Sequence, residues 1–361
     1  MRKALQSFAM TALTAIAVVG SAHANPTFNL TYIAGTSAQA QTAFAQAAAY
    51  WTSAFSDNVT INLTVGTGTL GSGILASAAS AESLFFYSGV RTAMATDATS
   101  TLDTAAVAHL PNTSSIPIYM NYTSDNPNGS GSATPYLDST GVAVSNNTTV
   151  RMTNANAKAL GLTPTLQTVN GCSSNCDGFI EFSNGFTYDF DRGDGITGGT
   201  YDFVGLAMHE IGHALGFISG VDILDINSTS PTFFAADLFT YVSPLDLFRC
   251  STASATAGAT LDFTAGTATK SFSTDNCATA LGTFSTGQVH GDGRQASHWK
   301  DNLSLGIMDP TAATGEFLNV TALDLKGFDV IGWNLTTVPE PGALLLGAGW
   351  LIGLAAARRR R

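Results

Sequence analysis

The sequence predicts an α+β fold in which one helix packs on a twisted sheet and a second, later helix carries the chemistry. Three observations predict it. Residues 28–33 and 59–65 alternate apolar and polar side chains, as half-buried strands do. Between them the alanine-rich stretch 38–55 places Phe44, Ala47, Ala48 and Trp51 at helical spacing. Further on, Tyr201, Phe203, Val204, Leu206, Ala207 and Met208 supply an apolar helical surface, with Asp202 suited to its first turn. Strand, helix, strand in that order lays the first helix on the sheet.

The ends read as addresses. Residues 1–24 form a secretory signal peptide: Arg2 and Lys3, an apolar run from Phe8 to Val19, then Ala22-His23-Ala24 as a small-residue cleavage site. At the other end, Val338-Pro339-Glu340-Pro341 precedes an apolar segment, 342–357, and the run Arg358, Arg359, Arg360, Arg361. Physically this is a short membrane-inserting segment held on the cytoplasmic side by positive charge. Residues 338–361 resemble a PEP-CTERM sorting signal. That resemblance implies an exported protein, transient membrane anchoring, processing by exosortase-type machinery, and a final place in the cell envelope, on the surface or outside the cell.

Residues 25–337 carry nine basic against 25 acidic residues, a net charge of −16, which argues against nucleic acid as a partner. The four cysteines fit an oxidising compartment. Of the three pairings possible, the local one is preferred: Cys172 with Cys176, and Cys250 with Cys277. No C-x-x-C pair exists to suggest a four-cysteine metal site.

The middle of the chain is less legible. Residues 67–150 are rich in glycine, serine and threonine, with short strands expected near Ile74 and over 116–122. Residues 151–162 read as a short helix ending at Gly161. Residues 179–190 alternate Phe179, Glu181, Ser183, then Phe186, Tyr188, Phe190 around an Asn184-Gly185 turn. Its place just before the second helix suggests an edge strand that binds an extended peptide by strand addition. The loop 189–195 offers several carboxylates out of register with a calcium loop, so a structural turn is preferred to a Ca2+ site.

The chemistry centres on His209-Glu210-Ile211-Gly212-His213. On a helix, positions i and i+4 share one face, so His209 and His213 can direct two imidazole nitrogens at one cation. Glu210 lies about 100° round the helix, placed to hold a metal-activated water as general base without being a ligand. Gly216 ends the helix and turns the chain away.

A catalytic zinc takes three protein ligands and leaves a position for water. No glutamate stands between Glu210 and Glu316, and Ser219 occupies the position six residues after His213 where a compact motif would place a third histidine. The open candidates are Asp222, Asp225, His290 and His298. His298 is preferred, standing in Ala-Ser-His-Trp ten residues before Gly306-Ile307-Met308-Asp309-Pro310.

Together, HEIGHALGF, the distant SHW histidine and GIMDP resemble a metzincin-type zinc metalloprotease of the leishmanolysin-like kind. The match is strongest over 203–217 and 296–333. The resemblance implies one Zn2+ on His209, His213 and His298, with Glu210 as catalytic base and Met308 in a Met-turn beneath the metal. It implies a metalloprotease domain over 25–337: an upper subdomain, 25–217, whose twisted sheet and edge strand lie over the active-site helix, an insertion, 218–297, and a smaller C-terminal part, 298–337, with the third ligand, the Met-turn and a closing helix over 321–330. The implied activity is endoproteolysis of protein or peptide substrates. Pro310 departs from the family pattern, since the tyrosine some metzincins carry two residues after the methionine is missing. The competing reading is a surface-displayed matrix or adhesion protein whose zincin domain is structural.

Overall fold

The computed structural model describes residues 24–336, apart from 170, 171, 173 and 174. The expected signal peptide, except for Ala24, and the expected sorting segment, 338–361, lie outside the described residues. Among the described residues no helix is long and apolar enough to cross a membrane. The architecture is α+β, with several small sheets around one continuous core.

The principal sheet has four strands: β1 (Thr27–Tyr32), β2 (Thr60–Gly68), β3 (Ala76–Ser80) and β4 (Gly178–Ser183). Their order in the sheet is β1-β2-β4-β3. β1 and β2 pair in parallel from Thr27↔Thr60 to Tyr32↔Val65, and β4 extends the parallel run from Leu63↔Gly178. Only β3 runs the other way, pairing Ala76↔Phe182 through Ser80↔Gly178.

The edge strand is therefore not the one the alternating pattern suggested. Residues 178–183 are bonded on both sides, and β3 is the margin. Alternation reports which side chains face the core, and Ile180 and Phe182 are indeed fully buried. It says nothing about how many strands flank the backbone. Beyond the Asn184-Gly185 turn the segment leaves the sheet, and Tyr188 and Asp189 pair separately with Tyr201 and Asp202.

Helix α1 (Ala38–Ala54) starts where Ser37 accepts the Ala40 amide at 3.2 Å. Its buried face, Ala43, Phe44, Ala47, Ala48 and Trp51, packs on the sheet and on α2 (Phe203–Ala214). The small residues allow close approach, and Trp51 Nε1 donates to Met208 O at 3.1 Å. Phe44, Phe182 and Phe203 fill the space between sheet and helices, with ring centroids 4.3 to 5.2 Å apart. The closing helix α3 (Ala322–Val330) carries Phe328 against Trp51 at 4.8 Å.

Residues 151–162 are only partly helical. Arg151 to Thr153 belong to a strand, Thr149–Thr153, paired with Glu82–Phe86. The helix is Asn154–Ala159, starting where the Thr153 hydroxyl accepts the Asn156 amide. A helix begins where its N-cap satisfies the first amides, and Thr153 is that cap.

The segment 218–297 contributes to the common core. Its Leu261–Asp262 pairs in parallel with Ile118–Tyr119, and Phe272 and Phe284 pack on Trp299 at 5.6 and 5.0 Å. Cys250 is bonded to Cys277, and Cys172 to Cys176. In the loop after β4, Asp189 accepts the Asp191 and Thr197 amides and Asp191 accepts that of Gly193. Those carboxylates close a turn and do not converge on a common point.

Asp57, Asp97, Asp103 and Asp329 gather where the chain end meets the first half. Asn334 donates to both Asp57 and Asp97, and Ser100 to Asp329. Burial first, then mutual repulsion, pushes Asp57 and Asp329 up to about 7 and Asp97 to about 6. A folded state that holds protons more tightly than the unfolded chain is favoured at low pH. That stabilisation is lost as pH rises through about 6 to 7. Thermal unfolding followed by circular dichroism should give a lower Tm at pH 8 than at pH 5. Asp329→Asn should raise the pH 8 value by about 2–4 °C and flatten the dependence; an unchanged slope would dismiss this cluster as its source.

Candidate metal centre

Two segments bring three histidines to one point. α2 contributes two. Asp202 caps it by accepting the Gly205 amide at 2.9 Å, and four apolar residues, Phe203, Val204, Ala207 and Met208, bury its first two turns. His209 and His213 then face outward together. Gly216, at φ +116°, reverses the chain, and a side chain there would press on Asn156. The third histidine, His298, comes from a loop 85 residues after His213.

The Nε2 atoms form a nearly equilateral triangle: His209 to His213 3.1 Å, His213 to His298 3.2 Å, His298 to His209 3.3 Å. Nitrogens each about 2.0–2.1 Å from one tetrahedral centre would lie about 3.3 Å apart, so the triangle has the size a metal requires. The opposite ring atoms fix the tautomer. His209 Nδ1 lies 2.7 Å from Ile307 O, His213 Nδ1 2.7 Å from Phe217 O, and His298 Nδ1 3.3 Å from Gln295 O. A carbonyl only accepts, so each Nδ1 carries the proton and each Nε2 turns its lone pair inward. Burial lowers the pKa of all three rings, and repulsion between them deepens the effect, taking His213 down to about 3 and His298 well below its usual value. The rings are therefore neutral at pH 7, the form that binds metal, and the triad can hold a metal ion.

Glu210 is 7 % exposed and lines the same cavity, and among the described residues no protein group hydrogen-bonds its carboxyl. Burial alone pushes it up to about 8, so in the bare protein it is protonated at pH 7. A metal ion held by the three histidines would supply positive charge that favours its ionised form. The cavity, about 1440 Å3, is lined by the residues of β3 and by Leu206, Phe317 and Leu318 among others.

The other candidate ligands are engaged elsewhere. Asp222 accepts the amides of Ala296 at 2.5 Å and Ser297 at 3.1 Å. Asp225 accepts those of Val289 and His290. The His290 ring stacks on Tyr122 at 4.0 Å and its Nε2 bonds Ser228 O. Of the four, His298 alone joins the pair on α2.

Met308 is fully buried beneath α2, where a Cβ on Gly212 would come within 2.7 Å of its sulfur. Gly212 thus permits the closest contact in the floor of the site. Comparison with family models, with curated proteins and with solved structures finds no match to the chain. The geometry stands on its own.

Sequence reasoning missed Asp324. This fully buried residue, in the first turn of α3, accepts Trp299 Nε1 at 2.8 Å, Ile307 N at 2.8 Å, Met308 N at 3.3 Å and Thr321 N at 2.6 Å. One carboxylate therefore ties the residue after His298 to the methionine turn. The signal was present as Thr321-Ala322-Leu323-Asp324, a capping box whose acid also reaches outward. Asp324→Ala leaves these donors unpaired in the interior and should lower the unfolding free energy by about 3 kcal/mol in a urea titration. A loss below about 1 kcal/mol would show that the donors find other partners.

Proposed function

We propose that this chain is an exported zinc-dependent endopeptidase of metzincin type. The carrying observation is the pairing of three converging imidazole lone pairs with an unpartnered buried carboxyl one residue away, both opening on a cavity. A purely structural metal needs no such carboxyl, which weighs against the matrix or adhesion reading.

The donor set suits zinc: three neutral nitrogens at tetrahedral spacing, with outer hydrogen bonds to backbone carbonyls. His209, His213 and His298 would hold it. When bound, the ion supplies a Lewis acid and lowers the pKa of a coordinated water toward about 7. The remaining work belongs to the chain. An extended substrate adds to the free side of β3, whose small side chains, Ala76, Ser77, Ala78, Ala79 and Ser80, leave the backbone N–H and C=O groups open to pairing. Strand addition holds the scissile bond above α2. Glu210 removes a proton from the attacking water at a carboxylate oxygen and returns it to the leaving amine nitrogen. Met308 and α3 support the floor, in the arrangement that the HEIGHALGF and GIMDP motifs imply. The signal peptide and the sorting-type tail support export, exosortase-type processing and a transient membrane anchor.

Glu210→Gln should retain one zinc per chain by metal analysis yet cleave casein at least about 100-fold more slowly. His298→Ala should lose both metal and activity. A zinc chelator should stop cleavage of a peptide library by the wild-type chain, with added zinc restoring it. Full proteolysis by Glu210→Gln would refute the assignment of the base, and no cleavage of any peptide by zinc-loaded protein would favour the adhesion reading.

A further inference from the structure

His298 reaches the metal centre from a loop, and a loop of Gly, Ser and Gln has no stiffness of its own. What holds it acts from opposite sides of the backbone at Ala296 and Ser297. On one side, Asp222, in the first turn of the helix Val221–Asn227, accepts Ala296 N–H through Oδ1 at 2.5 Å and Ser297 N–H through Oδ2 at 3.1 Å. On the other, the fully buried Arg249 donates from Nη1 to Ala296 O at 3.3 Å and from Nη2 to Ser285 O at 2.7 Å. Ser285 N–H in turn donates to His298 O at 3.0 Å. The backbone just before the third imidazole is thus held by charged groups, and the carbonyl of His298 itself by the Ser285 amide. Its ring makes a much longer Nδ1 contact than the other two, 3.3 Å against 2.7 Å. The position of His298 therefore depends more on its backbone than on its own outer hydrogen bond.

We propose that Asp222 is a positioning residue that preorganises the His298 arm before the metal arrives. Its carboxylate takes both amides at once, and only an acceptor with two free oxygens can do this. An asparagine in its place turns an NH2 toward one of the two N–H groups. Metal then has to order the arm as it binds, and the affinity falls by the entropy of that ordering. Asp225 lies three residues on along the same helix and is the natural control. It is fully buried, where Asp222 is half-buried, and it also accepts two amides of the same long loop, but those of Val289 and His290, nine and eight residues before the ligand.

The proposal rests on the zinc reading above, and the test separates the two. The mature chain, stripped of metal, is titrated with zinc against a chromophoric chelator. The wild type should bind one equivalent, Asp222→Asn should bind about 10- to 100-fold more weakly, and Asp225→Asn should match the wild type. Absence of zinc binding by the wild type overturns the reading of the site and this proposal with it. Binding by Asp222→Asn at wild-type affinity, or an equal weakening in Asp225→Asn, overturns the proposal and leaves the reading intact. Should Asp222→Asn not fold, hydrogen exchange on the metal-free wild type decides the matter. The amides of Ala296 and Ser297 should be protected at least about 100-fold without zinc, whereas unprotected exchange there would mean that the metal, not Asp222, orders the arm.

Discussion

Three lone pairs aimed at one another from little more than 3 Å are a constraint on which the rest of this structure depends. Neutral imidazoles in that arrangement repel, and nothing in their own chemistry keeps them together. They stay because the far nitrogens of His209 and His213 are held at 2.7 Å from Ile307 O and Phe217 O, and because the backbone carries His298 in, its own far nitrogen making the longer 3.3 Å contact to Gln295 O. Each of those carbonyls needs a fixed backbone behind it. The turn at Gly216 fixes Phe217, the anchor at Asp324 fixes Ile307, and the clamp on Ala296 and Ser297 fixes Gln295. A fold of ordinary stability thereby holds an arrangement that only a positive charge relieves.

The loops that do this holding are poor in large apolar residues, and aspartate takes the part that packing plays elsewhere. Asp202 joins the Gly205 and Leu318 amides, Asp246 those of Gly220 and Ser243, and Asp177 that of Asn62. Each carboxylate satisfies backbone amides, in a helix's first turn, on a strand or in a loop, that would otherwise lack a partner. The strongly acidic balance of the chain is thus in part internal and structural. It is not simply a coat of surface charge.

How far the sequence could be read follows from which interactions leave a local pattern. The motif helix was legible because two ligands one turn apart are written at i and i+4, and α1 because its buried face repeats with the helical period. The third ligand was harder. His290 and His298 are both single histidines among Gly, Ser and Asp, and what separates them is three-dimensional: Tyr122 stacks on one, while Ser285 and the Asp222 clamp hold the other. Asp222 and Asp225 looked like possible ligands because a carboxylate that binds backbone amides has the same one-letter signature as one that binds metal. The sheet margin was misplaced because alternation marks faces, whereas Ala76–Ser80 alternates nothing. The region 67–150 resisted reading for a related reason. Part of its interior is polar, with Asn147 donating to Ile116 O and Asp138 O and Asn146 donating to Asp138. Hydrophobic periodicity cannot report a core built from amides.

The bare margin at Ala76–Ser80 has a cost in company. It carries no lysine, no proline and no bulky side chain to fend off a neighbour, so among the described residues it is a margin on which an extended chain, that of a sister molecule included, can pair. Long-range repulsion opposes such pairing, since residues 25–337 carry a net charge of −16. Such repulsion fades as ionic strength rises. Salt therefore lowers the barrier to self-association along the same strip of backbone on which the proposed strand addition rests.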